Sequence, residues 1–319
     1  MRVRARSRRW FRLRVAVYVV VIAALLVWRS GGATTDWLRS LFEPPAPARV
    51  SIGGMDLGRP FLTKLLDLYA RDDPELTTVR LGGGTVQALE ALLAGQIDVG
   101  LLCRLPTPVE QAQFEKATGD TLSYHRFALG ALRLLGGASL GAERVRSAEL
   151  RDLFTGRPTA RFDRLYTLDP NLGLWNVLHE RLGLDFPDTQ RPPSVFFLPD
   201  ASAVRQRLGA DPRALGILSS LCDAGDDGGE GAVVLPWHDE ETEAAIDPSD
   251  ENVAAGSYPL YHYLYAATRP DVSIHGAKLV THLVSDRGQR QVWRCGALPA
   301  RIAGREILLN TRPLDARDR

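Results

Sequence analysis

Apolar and polar positions change rhythm several times along the 319-residue chain. Residues 15–28 (VAVYVVVIAALLVW) form an unbroken apolar run behind the basic stretch MRVRARSRRWFRLR. From residue 49 onward, short apolar runs alternate with stretches of helical periodicity. The pattern predicts a strand at 49–53, a helix at 60–70 and a second strand at 77–81. A turn at Gly82-Gly83-Gly84-Thr85 leads to a helix at 86–94, which Gly95 closes from a C′ position. A third strand is expected at 97–102. Further on, 122–135 reads as a pair of strands and 147–154 as a helix ended by Gly156. A helix at 172–184, a strand at 195–198, a helix at 201–208 capped by Asp200 or Ser202, and a strand at 214–219 follow. The last predicted elements are a strand at 258–268 and a helix at 276–284. Alternation of this kind implies an α/β fold with a mainly parallel sheet and helices on both faces.

The N-terminus directs the body across a membrane. Seven Arg precede the apolar run, which orients the segment with its N-terminus in the cytoplasm. Fourteen apolar residues fall short of the roughly 20 that a spanning helix needs, which favours a cleaved signal with Gly31-Gly32-Ala33 as the cleavage site. Trp28 and Arg29 read instead as an interfacial anchor, and Arg14 and Arg29 can snorkel to lengthen the span. Both alternatives stay open, and both place the body on the extracytoplasmic side. Ser7-Arg8-Arg9-Trp10-Phe11 resembles the start of a twin-arginine export signal, in a stretch where Arg pairs arise easily. Residues 1–33 are therefore the basic and transmembrane or signal segment, 34–48 a Pro-rich linker of extended character, and 313–319 a polar tail.

Charge then separates the segment from the body. The net charge is +1, but eight of the basic residues lie in 1–29, and removing them leaves 31 basic residues against 38 acidic ones. A mildly acidic body argues against a nucleic-acid face. It does not argue against a small anion, which backbone N–H groups can hold. Cys103, Cys222 and Cys295 are far apart and odd in number, so one disulfide or three thiols are both compatible with the sequence. No Cys/His cluster has metal-ligand spacing, and residues 223–231 (DAGDDGGEG) do not match a calcium loop, so no metal or cofactor is expected. There is no Gly-x-Ser-x-Gly elbow, no HExxH and no P-loop, so no enzyme is expected either.

Several segments resemble the phosphate-binding (PstS-like) proteins of phosphate ABC transporters. Gly82–Thr85 followed by AGQIDVG at 94–100 resembles that family's turn, helix and strand. The stretch SAELRDLFTG at 147–156 is similar to its "LRDIFTGK" helix, and 203–219 to the stretch ending in "GAIGY". NVAAGSYPL at 252–260 resembles "VxxGxYPL", and SDRGQ at 285–289 with GALP at 296–299 resembles its C-terminal segment. The resemblance implies a two-lobe periplasmic-binding-protein-like (type II) α/β fold behind the N-terminal segment. Lobe I would comprise 49–126 plus 256–312, and lobe II 130–240.

The same resemblance implies capture of phosphate or another small inorganic anion by cleft closure, for ABC transporter membrane subunits. It implies a body in the periplasm, held in the inner membrane by one pass or released after cleavage. The ligand set it implies is Gly54, Met55, Gly83, Gly84, Thr85, Cys103, Arg104, Asn171 and Gly173. Here the chain departs from the family: Gly53-Gly54-Met55-Asp56 lacks a hydroxyl residue, and 168–175 (LDPNLGLW) lacks Ser-Gly-Thr. Those departures motivate an alternative, a membrane-anchored sensor or scaffold that keeps the fold with weak phosphate binding or none. Outside the site, Trp175, Tyr258 and Tyr261 are expected to pack rather than bind.

Overall fold

A computed structural model describes residues 48–55, 58–74, 76–140, 143–168, 174–183, 193–223, 232–238 and 242–301. The chain divides into two units, Met1–Pro47 and Ala48–Arg319. The first unit lies outside the described residues, and with it the predicted anchor and linker. Among the described residues no helix is long and apolar enough to cross a membrane.

The second unit is built on one ten-stranded sheet. Strands β1 (Ala48–Gly54), β2 (Leu76–Leu81) and β3 (Val99–Leu102) are parallel, with β1 between the other two. Helix α1 (Arg59–Asp72) connects β1 to β2, and α2 (Thr85–Leu93) connects β2 to β3. Helix α3 (Pro108–Thr118) leads from β3 to β4 (Ser123–Gly137).

Strand β4 organises the sheet. Its first part pairs with β11 (Tyr261–Thr268), and its second part with β7 (Ala214–Ser219) and β8 (Ala232–Leu235). The two-residue β12 (Leu298–Pro299) also joins it. Strands β5 (Arg164–Leu168) and β6 (Val195–Leu198) extend the β7 side, so the path runs β2-β1-β3-β11-β4-β7-β5-β6. The short β9 (Trp237–His238) and β10 (Ala245–Ile246) pair separately. Helices α4 (Ser147–Phe154), α5 (Leu174–Leu182) and α6 (Ala201–Ala210) belong to the β7 half. Helices α7 (Asp250–Ala255), α8 (Ile274–Val284) and α9 (Asp286–Arg294) flank β11 and β12.

Alternation along β11 shows how both faces are covered. Leu264 and Ala266 enter the large core with Phe61, Leu65 and Leu66 of α1. Tyr265 and Ala267 enter a smaller cluster with Ala88 and Leu92 of α2 and Phe114 of α3. Residues one apart on a strand face opposite sides, so α1 lies on one face and α2 and α3 on the other.

Four expectations need correction. The sheet is mixed rather than mainly parallel, because β4 and β11 run antiparallel through its centre. Residues 122–135 form no strand pair: β4 continues for 15 residues, and its alternating edges serve different partners. The strand expected from 258 begins at Tyr261, because the Tyr258 hydroxyl donates to the Leu132 carbonyl at 2.7 Å and holds a bend there. Residues 286–294, which carry no helical expectation in the sequence, form α9. Its amphipathic period is masked by four charged residues in nine positions.

Candidate functional site

The ends of β1, β2 and β3 bring three loops to one corner of the sheet. Loop one is Gly54-Met55. Gly54 has φ +91, and a Cβ on it would lie 2.4 Å from the Leu101 carbonyl oxygen, so only glycine fits between β1 and β3. Met55 follows with φ 64, an uncommon conformation for a non-glycine residue, and its side chain is buried. It turns toward Gly58 and Leu221: a Cβ on Gly58 would lie 2.9 Å from Met55 Cε and 3.3 Å from Leu221 Cβ. Leu221 belongs to a 3-10 turn (Ser220–Asp223) that follows β7. Loop one therefore meets the opposite half of the sheet through apolar contact.

Loop two is the head of α2. Gly83 has φ +114 and Gly84 is the N-cap. The Gln87 side chain turns back to accept from the Gly84 N–H at 3.0 Å. Thr85 opens the helix, is buried, and its Oγ1 accepts from the Cys103 N–H at 3.1 Å. That bond ties loop two to loop three and leaves the hydroxyl a proton to donate. The first-turn N–H groups of α2 carry the partial positive charge of a helix start.

Loop three is Cys103-Arg104. The Cys103 thiol is buried and pushed up to about 12 by loss of solvation, so it is a packed wall and not a nucleophile. Arg104 makes a fork-to-fork pair with Glu110, at 2.6 and 2.8 Å, and also donates to the Leu105 carbonyl at 3.0 Å. Its side chain is 12% exposed, and its buried Nε–H has no partner among the described residues. Glu110 in turn accepts from the Thr107 N–H and completes the capping box of α3. The Arg104 hydrogen bond holds the Glu110 carboxyl below the usual carboxylate range. Arg104 is therefore largely committed to Glu110, a partner the sequence reading did not assign to it, although Thr107-Pro108-Val109-Glu110 has the form of a capping box.

Of the expected ligand set, Gly54, Met55, Gly83, Gly84, Thr85, Cys103 and Arg104 lie at these strand ends. Asn171 and Gly173 lie outside the described residues, as does Asp56. Cys103, Cys222 and Cys295 are all free thiols. No group of three or more His, Cys, Asp or Glu among the described residues could hold a metal ion.

Beside loop one lies a cavity of about 310 Å³. Ile52, Met55, Leu62 and Leu81 give it apolar walls, and Gly54 and Gly82 contribute backbone. Arg59, Thr63 and Arg80 give it a polar rim. None of the three was singled out from sequence. The available signal is Arg80 placed one residue before the end of β2, on the side that faces α1.

A family model for the PBP superfamily domain matches residues 43–287. The chain belongs to this superfamily. Its domain covers α1 to α8 and the start of α9, so all three loops and the cavity fall inside the match. Among solved structures, the chain is similar to one described as a phosphate ABC transporter substrate-binding protein with bound phosphate from Clostridium perfringens. The TM-score is 0.63 at 14% identity, covering 79% of this chain and 100% of that one. It is similar to an ABC-type phosphate transport receptor from Vibrio cholerae, with TM-score 0.63 and 16% identity over 78% of this chain and 99% of that one. PstS from Borrelia burgdorferi gives 0.54 and 16%, over 79% and 98%. At such identities the likeness establishes a shared fold. No curated protein matches the sequence.

Proposed function

We propose that the protein is an extracytoplasmic solute-binding protein that captures a small oxyanion, phosphate or a close chemical relative, for the membrane subunits of an ABC transporter. The observation that carries this reading is the tie between Thr85 and Cys103, which brings a helix start and a donor hydroxyl to the end of β3, one residue before Arg104. Fixed N–H groups at a helix start suit a dehydrated anion without requiring net positive charge. In this reading Thr85 and Arg104 supply donors, Gly83 and Gly84 shape the helix start, and Gly54, Met55 and Cys103 supply the wall. Asn171 and Gly173, outside the described residues, join this set by the family resemblance alone. Lobes of 49–126 plus 256–312 and of 130–240 would close about β4 and β11. The fold shared with phosphate-binding proteins supports this reading. Residues 1–33 would direct export and either anchor the body in the inner membrane or be removed.

Thermal unfolding of the full-length protein with phosphate, sulfate, molybdate and small organic anions tests the reading. A ligand at 100 times its dissociation constant adds about 2.7 kcal/mol to stability. Phosphate is expected to raise the midpoint, and Thr85→Val to remove that rise. Thr85→Val leaves the Arg104–Glu110 pair intact but strands the Cys103 N–H, so its midpoints are compared with its own value without ligand. If no oxyanion moves the midpoint, the reading is wrong. Carbonate extraction of membranes, with sequencing of the mature N-terminus, separates an anchor from a cleaved signal.

A further inference from the structure

We propose that the cavity between α1, β1 and β2 is a second ligand site, taking a small organic anion with a short aliphatic body. Its volume of about 310 Å³ lies at the lower end of small-molecule pockets. Its lining has two chemistries. Ile52, Leu62 and Met55 are buried apolar side chains and form the floor. Arg59 and Arg80 stand at the rim, and no acidic residue among the described residues lines the cavity. A bare inorganic anion would leave the apolar floor unused, and a neutral hydrocarbon would leave the Arg80 guanidinium facing it.

Arg80 is held ready for an anionic head. It donates to Thr63 Oγ1 at 2.9 Å and reaches Asp67 at only 3.4 Å. Asp67 is 61% exposed and does not line the cavity, so it screens the guanidinium weakly. A guanidinium has five N–H donors, and among the described residues these two contacts leave three. Those can meet a carboxylate or a phosphonate side-on, the geometry in which Arg binds such groups best. The aliphatic stem would then run inward over Leu62 and Ile52. This site shares only the Gly54–Met55 wall with the oxyanion corner and uses none of its donors, so the two assignments stand or fall separately.

Titration calorimetry on the full-length protein, with butyrate, butylphosphonate, butylamine and inorganic phosphate as probes, tests the proposal. One of the two butyl anions is expected to bind saturably and butylamine not to bind. Extending the stem from two to five carbons should tighten binding about threefold to fourfold per methylene until the cavity is full, since each buried methylene contributes about 0.8 kcal/mol. Arg80→Gln should weaken that binding about tenfold or more, and Arg59→Gln should weaken it as well. Thr85→Val should leave it unchanged. Organic-anion binding that ignores stem length, or that survives both arginine substitutions, overturns the proposal. So does the absence of binding by either butyl anion. Binding of inorganic phosphate that is lost in Thr85→Val but kept in Arg80→Gln would uphold the oxyanion corner whatever the butyl probes do.

Discussion

Glu110 and Arg104 hold each other at 2.6 and 2.8 Å with 22% and 12% of their side chains exposed. Removing one partner leaves the other poorly solvated, so Glu110→Gln should destabilise the protein by about 2–3 kcal/mol at neutral pH. The sign of the pH dependence follows from the lowered carboxyl pKa. An unfolded Glu titrates near pH 4.3, so the stabilisation is complete above about pH 5 and disappears as pH falls through the lower folded value. Urea midpoints of the two proteins should converge toward pH 3; a constant gap would show that the cost is packing rather than charge. His262 behaves oppositely. Burial pushes its imidazole down to about 4, and neither ring nitrogen makes a well-aligned hydrogen bond among the described residues. The folded protein keeps it neutral while the unfolded chain takes a proton below about pH 6.5. Stability should therefore fall between pH 6.5 and 4, by about 3 kcal/mol in all. His262→Leu should flatten that limb, and an unchanged limb would assign the loss to other groups.

The elements that were legible in the sequence are those whose punctuation is local. SDRGQ at 285–289 was legible as a family-like segment though not as the helix it opens, and the structure supplies its physics. The Ser285 hydroxyl donates to the His282 carbonyl, closing α8, and accepts from the Gly288 N–H, opening α9. A Cβ on Gly288 would stand 1.9 Å from the His282 carbonyl oxygen. The Gln289 amide donates to the carbonyls of Phe127 and Leu283, stitching this corner to β4. Tyr258 of the SYPL stretch performs a similar task through Leu132. The segments that carried the family resemblance are thus mostly joints of the fold, which explains why the fold could be read while the ligand could not. What escaped the sequence reading depends on long-range pairing: the single run of β4, the Arg104–Glu110 pair and the rim of Arg59 and Arg80. Gly288→Ala should force the α8–α9 corner apart and lower stability by about 3 kcal/mol or more, as strain at a packed backbone does. Native hydrogen exchange should locate the loss in residues 274–299; uniform loss across the sheet would contradict a local joint.

At the scale of the whole molecule, the two halves of the sheet are joined by β4 and touch again where Met55 and Gly58 meet Leu221. Closure, which the proposed function requires, needs this contact to be breakable, and a contact of a few apolar side chains contributes only a few kcal/mol. Gly58 sets the spacing. Its φ of −109 suits any residue, so a larger side chain there adds bulk without backbone strain. Gly58→Val would push the Ser220–Asp223 turn away from the head of α1. Small-angle scattering should then report a larger radius of gyration for the variant without ligand, at nearly unchanged helix content. Saturating oxyanion should bring the radius back toward that of the wild type. The affinity would fall by the free energy of reclosing, and a penalty of about 1.4 kcal/mol weakens binding tenfold. An unchanged radius with unchanged affinity would mean that the halves are fixed by β4 and β11 alone. An enlarged radius that ligand does not reverse would place the oxyanion on one half only, and would separate capture in this protein from closure.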